Sequence, residues 1–228
     1  MASIKSLFPL IILCLSIFAC SFSPKESKPV NSFNKAPVTN NDETFDLAKL
    51  TLKEPDVPGM VAERKVKTEY LTATDQTIIG FERLKISSAE ILRYAGNDLS
   101  GINHTVKNNV LLHYNEKTKG LAFYEVRLYT EEQSAALLAA LKKIGKPEFE
   151  KLGVSKGAIE IDEDGNEIKK ASEEKQTFRV WENSKNGLTY YLVERGKGES
   201  YTLELTVLNR SENYAKQWIS FRSLDWYK

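Results

Sequence analysis

Residues 108–145 have the sequence NNVLLHYNEKTKGLAFYEVRLYTEEQSAALLAALKKIG, in which two strand patterns, a turn and a helix pattern follow one another directly. The polar segment EKTKG, residues 116–120, lies between NNVLLHYN and LAFYEVRLY and ends on a glycine, as the loop of a β-hairpin does. The helix pattern begins with TEEQ at Thr130, which is typical of a capping box. A hairpin followed directly by a helix predicts the α+β class.

The helix pattern is the strongest in the chain and predicts a long amphipathic helix over about 131–144. Its apolar residues recur at helical spacing on one face, at Leu137, Leu138, Leu141 and Ile144. Gly145 can adopt the left-handed conformation after the last turn, and Pro147 cannot continue a helix. The apolar face of this helix is therefore expected to cover a sheet.

Two other helices are predicted. Ser87 and Glu90 have the spacing of a second capping box, which predicts a short helix over about 88–95. The segment SENYAKQWISF predicts a C-terminal helix over about 212–221. Because a strand, a capping box and a helix occur both at Ser87 and at Thr130, these two segments suggest a duplicated unit.

The second half of the chain has the pattern of antiparallel hairpins. Asp164-Gly165 and Asn186-Gly187 each lie between segments that alternate apolar and polar residues, which is the signal of a hairpin turn. The last predicted strand, YTLELTVLN, has an apolar face formed by Tyr201, Leu203, Leu205 and Val207. Together with strands predicted near 66–70 and 77–86, these patterns predict one domain, residues 46–228, with a mainly antiparallel sheet.

The N-terminus has the pattern of an export signal. Lys5 precedes an apolar core, Leu7 to Phe18, that is shorter than the roughly 20 residues a spanning helix needs. The core ends in Ile17-Phe18-Ala19-Cys20, which resembles the lipobox of bacterial lipoproteins, with an aliphatic residue at −3, a small residue at −1 and cysteine at +1. A conventional signal peptide with an incidental cysteine is the alternative.

The resemblance implies that residues 1–19 are removed and that Cys20 is lipidated, with palmitate-type acyl chains on its thiol and usually on the new amino terminus. Two or three such chains anchor a protein stably in a membrane. Ser21 at position +2 favours the outer membrane, by analogy with the sorting rule of enteric bacteria. Residues 20–45, which contain three prolines and few apolar residues, are expected to form a disordered tether.

The charge balance excludes some classes of partner. Removal of residues 1–19 takes away Lys5 and no acid, so that 32 basic side chains become 31 against 31 acidic ones. Without a basic excess, binding to nucleic acid is not expected. If Cys20 is acylated, no thiol outside the signal remains for a disulfide, a zinc site or a nucleophile.

The residue patterns predict no catalytic, metal or cofactor site. A calcium-loop template is matched at four positions, but its sixth position, where the loop needs a glycine, is Glu167. The four matched residues are Asp162, Asp164, Asn166 and Glu173. His104 and His113 are not at ligand spacing, and a hydrogen-bonded or half-exposed imidazole is expected of His113. No motif of a nucleophilic hydrolase or of a phosphate-binding loop occurs.

The C-terminal segment is rich in aromatic residues. On the predicted C-terminal helix, Tyr214, Trp218 and Phe221 share one face, and Trp226 and Tyr227 follow shortly after. If these rings are exposed, they form a docking surface for a partner. If the helix packs onto the sheet, they close the core, and this second interpretation is favoured.

The favoured hypothesis is a lipid-anchored envelope lipoprotein that acts as a non-enzymatic protein-binding or assembly module. An assembly subunit, an adaptor and an immunity-type inhibitor all fit it. The first alternative is an envelope hydrolase that acts on glycan, peptide or lipid and holds an acid or histidine of perturbed pKa in a cleft. The second is a carrier of a small apolar ligand, which needs an internal cavity.

Overall fold

The computed structural model describes residues 44–71, 78–156, 160–161, 167–169 and 173–222. In this part of the chain, eight strands form one antiparallel sheet, which confirms the α+β class and the mainly antiparallel sheet. The strands are β1 (Thr68–Leu71), β2 (Phe81–Ile86), β3 (Asn109–Asn115), β4 (Leu121–Leu128), β5 (Phe149–Lys156), β6 (Glu173–Asn183), β7 (Leu188–Arg195) and β8 (Thr202–Leu208). Their order across the sheet is β1-β2-β3-β4-β8-β7-β6-β5.

Two four-stranded meanders make up this sheet, β1 to β4 and β5 to β8, and they meet where β4 pairs antiparallel with β8. Helix α1 (Val57–Ala62) precedes β1, α2 (Glu131–Lys142) follows β4, and α3 (Asn213–Phe221) follows β8. Each meander is thus followed by a helix. The repeated unit in chain order is this meander with its helix, and not the unit with capping boxes that the sequence suggests.

One face of the sheet, the core face, is apolar because every second residue of the central strands is apolar. Its central side chains, all buried, are Leu84, Leu112, Val126, Leu192 and Leu205. Helix α2 covers this face with Leu137 and Leu141, and α1 and the 3-10 turn Leu47–Lys49 extend the cover. The apolar face predicted for β8 is confirmed, because its four members are buried, namely Tyr201, Leu203, Leu205 and Val207.

The opposite face, the polar face, mixes aromatic and charged side chains. Its central members are Lys85, His113, Glu125, Thr206 and Tyr191. Helix α3, which confirms the predicted C-terminal helix, lies on this face, where its Trp218 ring contacts the rings of His113 and Phe123 at centroid distances of 5.1 and 4.9 Å. Helices α2 and α3 therefore cover opposite faces of the sheet. The two units of meander and helix follow the same order along the chain, but a rotation does not superimpose them.

The hairpin predictions are confirmed where the structure describes them. The loop 116–120 joins β3 to β4, and Asn186-Gly187 lies between β6 and β7, with φ of 70° at the glycine. Asp164-Gly165 lies outside the described residues. The segments that flank it, Glu160–Ile161 and Glu167–Lys169, pair antiparallel as expected of a hairpin.

The short helix predicted over 88–95 is wrong. The Ser88 hydroxyl accepts the N–H of the residue two positions later at 3.3 Å and closes a turn instead of capping a helix. Arg93–Tyr94 and Asn97–Asp98 then form a two-stranded ribbon, because Ala95 and Gly96 both have positive φ. A helix of eight residues depends on tertiary packing more than on its cap, and here the packing favours the ribbon.

Helix α2 is shorter than the long helix that the sequence predicts, because it ends at Lys142 after 12 residues. The predicted capping box is absent, since the Thr130 hydroxyl accepts the Asn108 side-chain amide at 2.7 Å and makes no cap hydrogen bond. The predicted apolar face packs against the core: Leu137 and Leu141 are fully buried, and its other two members, Leu138 and Ile144, are partly buried.

The central position of β8 predicts a large cost for cavity formation. Leu205→Ala should lower the free energy of unfolding by about 2–5 kcal/mol, because Leu205 is fully buried between the two meanders. Leu152→Ala on β5 is the matched control and should change stability by less than about 0.5 kcal/mol, because Leu152 is 77% exposed. Urea unfolding measures both values, and equal effects would contradict the position of β8 in the core.

Candidate functional site

Charged side chains gather on the polar face because the register of the strands places them side by side. The central row of cross-strand partners comprises Lys85, Leu111, Glu125 and Thr206. The row on one side comprises Arg83, His113 and Phe123, and the row on the other comprises Asn109, Arg127 and Glu204. Residues two positions apart on a strand share a face, so these rows are adjacent.

Glu125 lies at the centre of this arrangement, with its side chain only 1% exposed. Its Oε2 is 3.3 Å from His113 Nε2 and 3.3 Å from Arg127 Nη2. Its Oε1 accepts the Thr206 hydroxyl at 3.5 Å and lies 3.8 Å from Arg222 Nε. A buried carboxylate is stable only when it is paired and hydrogen-bonded, and these four neighbours meet that requirement.

The charge states of the buried pair follow from its surroundings. Burial lowers the pKa of His113, and the positive charges of Arg83 and Arg127 act in the same direction against the attraction of Glu125. Burial alone would raise the pKa of Glu125, but the hydrogen bond from His113 and the guanidinium groups of Arg127 and Arg222 hold this pKa below its ordinary value. At neutral pH the pair is therefore a neutral imidazole, which donates through Nε2, and a carboxylate.

His113 is sealed from solvent by aromatic rings. Its imidazole stacks on Phe123 at a centroid distance of 3.9 Å and an interplanar angle of 14°, and Trp218 contacts it from α3. The residue is 1% exposed, so the expectation of a hydrogen-bonded imidazole is confirmed and that of a half-exposed one is not. A substrate has no access to this imidazole without movement of α3.

Beside the sealed cluster, the polar face opens into a pocket of about 800 Å³, which we name the basic pocket. Its charged lining consists of Arg83, Lys85, Lys107, Arg127, Arg222 and a single carboxylate, Glu69. The side chains come from β1, β2, β4, the end of α3 and a second two-stranded ribbon, in which Ile102–Asn103 pairs antiparallel with Val106–Lys107. Among the residues that the structure describes, five cations and one carboxylate line this pocket, so its lining is predominantly cationic.

The cations of the basic pocket differ in how they are held. Arg222 forms an ion pair with Glu204 as well as with Glu125, and its guanidinium lies 5.8 Å from the centre of the Trp218 ring. Lys85 pairs with Glu69 at 3.1 Å. Lys107 has no ion pair with any residue that the structure describes. Arg222 and Lys85 are thus held by ion pairs, whereas Lys107 is available.

The structure divides the aromatic residues that the sequence marks for partner binding. Trp218 is buried against His113 and Phe123 and therefore belongs to the core, not to a docking surface. Tyr214 is half-buried and donates its hydroxyl hydrogen to the Ala122 carbonyl. Phe221 is 48% exposed and is, among the described members of this set, the most exposed large hydrophobic side chain. Trp226 and Tyr227 lie outside the described residues, as does Cys20.

The two histidines have different surroundings although they are close in sequence. His104 is 61% exposed at its side chain and lies 3.2 Å from Glu199, while His113 is sealed in the sheet. Among the residues that the structure describes, no three His, Cys, Asp or Glu side chains cluster in a way that could hold a metal ion. Most of the calcium-loop template, from Asp162 to Asn166, lies outside those residues.

Comparison of the chain with protein-family models, with curated proteins and with solved structures returned no match. In the described ranges, no helix is both long enough and apolar enough to cross a membrane.

The basic pocket is the feature that sequence reasoning missed. Its signal in the sequence is two pairs of charged residues at alternate positions, Arg83 and Lys85 on β2 and Glu125 and Arg127 on β4. Such positions usually face water. These residues form one site because β2, β3, β4 and β8 are neighbours in the sheet. Helix α3 also returns the chain to this face, where Arg222 lies close to Glu125.

Removal of the buried negative charge should destabilise the fold. Glu125→Gln should lower the free energy of unfolding by about 3 kcal/mol, because it leaves the guanidinium groups of Arg127 and Arg222 without their shared partner. Glu150→Gln is the matched control, because Glu150 is half exposed in its pair with Arg179 and should contribute less than about 1 kcal/mol. Denaturant unfolding of both variants at pH 7 tests the difference, and similar losses would contradict the central role of Glu125.

The sealed imidazole predicts a loss of stability in mild acid. The pKa of His113 in the folded protein lies below its ordinary 6.5, so the unfolded chain binds a proton first as the pH falls. The contribution of His113 to the free energy of unfolding should be fully present above about pH 7 and should decrease as the pH drops towards about 5. Below its ordinary pKa of 4.5, Glu125 should add to this loss of stability. Between pH 7 and 5 the free energy of unfolding should depend less on pH in His113→Gln than in the unaltered protein, as thermal unfolding across this range can determine. His104→Gln, which replaces an exposed histidine, is the matched control.

Proposed function

We propose that this chain is a lipid-anchored binding protein of the bacterial cell envelope, held in the membrane through acylated Cys20, and that its folded part is not an enzyme. The lipobox-like segment Ile17-Phe18-Ala19-Cys20 supports the anchor, and Ser21 supports the outer membrane as its location. The folded part then lies in the periplasm or at the cell surface, at the end of the tether formed by residues 20–45.

One observation carries the binding role: the basic pocket is open and lined mainly by cations, while the histidine and carboxylate nearest to it, His113 and Glu125, are sealed from solvent. An envelope hydrolase needs a histidine or an acid that a substrate can reach. The carboxylate that lines the basic pocket is Glu69, and Lys85 already pairs with it. The cationic lining equally disfavours this pocket as the site of a small apolar ligand.

The proposed partner is an envelope protein, which the chain would serve as an adaptor, an assembly subunit or an immunity-type inhibitor. The surface that best supports such a contact is the rim of the basic pocket, where Val106 lines the pocket and Phe221 precedes Arg222. These two apolar side chains are 45% and 48% exposed. Aromatic residues and arginine are enriched at the centres of protein interfaces.

The anchor and the partner can be tested together in the native cells. The full chain and Cys20→Ala, each with a photoactivatable amino acid at Phe221, are irradiated in the cells and then purified in a mild detergent. The intact chain should carry acyl mass on Cys20 and should yield one discrete cross-linked envelope protein, whereas Cys20→Ala should lose both because it is no longer held at the membrane.

The matched control places the same photoactivatable group at Leu152 on β5, which is 77% exposed against 48% for Phe221 and lies away from the basic pocket. The same cross-linked protein from both positions would contradict the proposed surface. An intact chain without acyl mass would contradict the anchor.

A further inference from the structure

We propose that the basic pocket is a binding site for a phosphate group, carried as a phosphomonoester. The proposal rests on the proposed function in one respect only, that the open part of the polar face is a binding surface. It does not depend on the lipid anchor or on the protein partner at the rim.

The first argument is the balance of charge. Five cationic side chains line the pocket, and three carboxylates approach them, namely Glu69 in the lining and Glu125 and Glu204 behind the arginines. Among the described residues, cations thus outnumber carboxylates in the lining. A phosphomonoester carries about −1.5 to −2 at neutral pH, which suits a predominantly cationic lining.

The second argument is that the donors are fixed in place before a ligand arrives. Glu125 holds Arg127 through Nη2, and Arg127 makes no other hydrogen bond within the described part of the chain, which leaves its second terminal nitrogen for a ligand. Glu125 and Glu204 hold Arg222 at the end of α3. Arginines held by carboxylates lose little further freedom on binding, and this lowers the entropic cost of capturing an anion.

The third argument concerns the directions from which the donors come. Arg83 and Lys85 belong to β2, and Arg127 belongs to β4 two strands away. Lys107 belongs to the second ribbon, and Arg222 directly follows the last residue of α3. A carboxylate has two coplanar oxygens and matches one guanidinium fork. A phosphate has three terminal oxygens that accept from several sides, which fits donors that surround a pocket.

The size of the pocket indicates an ester and not a free ion. At about 800 Å³ it falls in the range of pockets that hold small organic ligands, so a phosphate on its cationic floor leaves space for an organic group. Leu71, Leu111 and Tyr129 supply apolar surface for that group. The same chemistry occurs on a membrane lipid headgroup and on a soluble phosphate ester, and the experiment separates these sources.

The test uses the full acylated chain in a neutral detergent at about 150 mM salt, where weak non-specific attraction is screened. Calorimetric titration with glycerol 3-phosphate tests a soluble source, and mixed micelles with phosphatidic acid, against phosphatidylcholine, test a lipid source. Glutarate, a dicarboxylate of similar charge, is the control ligand. We expect saturable binding of a phosphomonoester and at least tenfold weaker binding of glutarate.

Three variants decide whether the pocket is responsible. Arg127→Gln should weaken phosphate binding about tenfold, as expected for loss of a charge-assisted hydrogen bond. Lys107→Gln should weaken it severalfold, and because Lys107 is exposed and has no ion pair with a described residue, the fold is expected to tolerate the change. Lys117→Gln makes the same change of charge in the exposed loop between β3 and β4, outside the pocket, and should have no effect.

Binding of glycerol 3-phosphate supports the proposal with a soluble source, and binding of phosphatidic acid alone supports it with a lipid source. Absence of both, equal affinity for glutarate, or equal effects of Lys107→Gln and Lys117→Gln would overturn it. Failure of the proposed function has a different signature, because a chain without acyl mass on Cys20 can still bind phosphate, and an acylated chain with its cross-linked partner can fail to do so.

Discussion

The buried carboxylate of Glu125 is the constraint on which the polar face depends. A charge at this depth is tolerated only because its partners come from every element around it: His113 from β3, Arg127 from β4, Thr206 from β8 and Arg222 from α3. The carboxylate therefore ties α3 to the seam between the two meanders. The same contacts orient two guanidinium groups towards the solvent side of the sheet.

This arrangement divides the polar face into two parts with different roles. On one side, the stacked rings of His113, Phe123 and Trp218 form a closed aromatic layer that continues the core. On the other side, the basic pocket opens to solvent. The division explains why an aromatic helix that the sequence offers as a docking surface is mostly structural, with Phe221 at its end left exposed.

Local patterns in the sequence predicted much of the fold, and long-range contacts account for what they missed. The loops at 116–120 and at Asn186-Gly187 were predictable because a hairpin turn depends on residues within it. The 88–95 helix failed because a capping spacing is a weak signal when packing decides a short segment. The site could not be predicted, since Glu125 meets His113 and Thr206 from 12 and 81 residues away.

The overall charge of the chain is compatible with a strongly cationic pocket, because the two quantities act over different distances. With 32 basic and 31 acidic residues, the chain offers no extended positive surface to a long polyanion. Ions screen exposed charges beyond about 8–10 Å, so a ligand in the basic pocket experiences its immediate neighbours and not the whole protein. Near-neutrality thus argues against nucleic acid while leaving a single phosphate group well matched to the side chains around it.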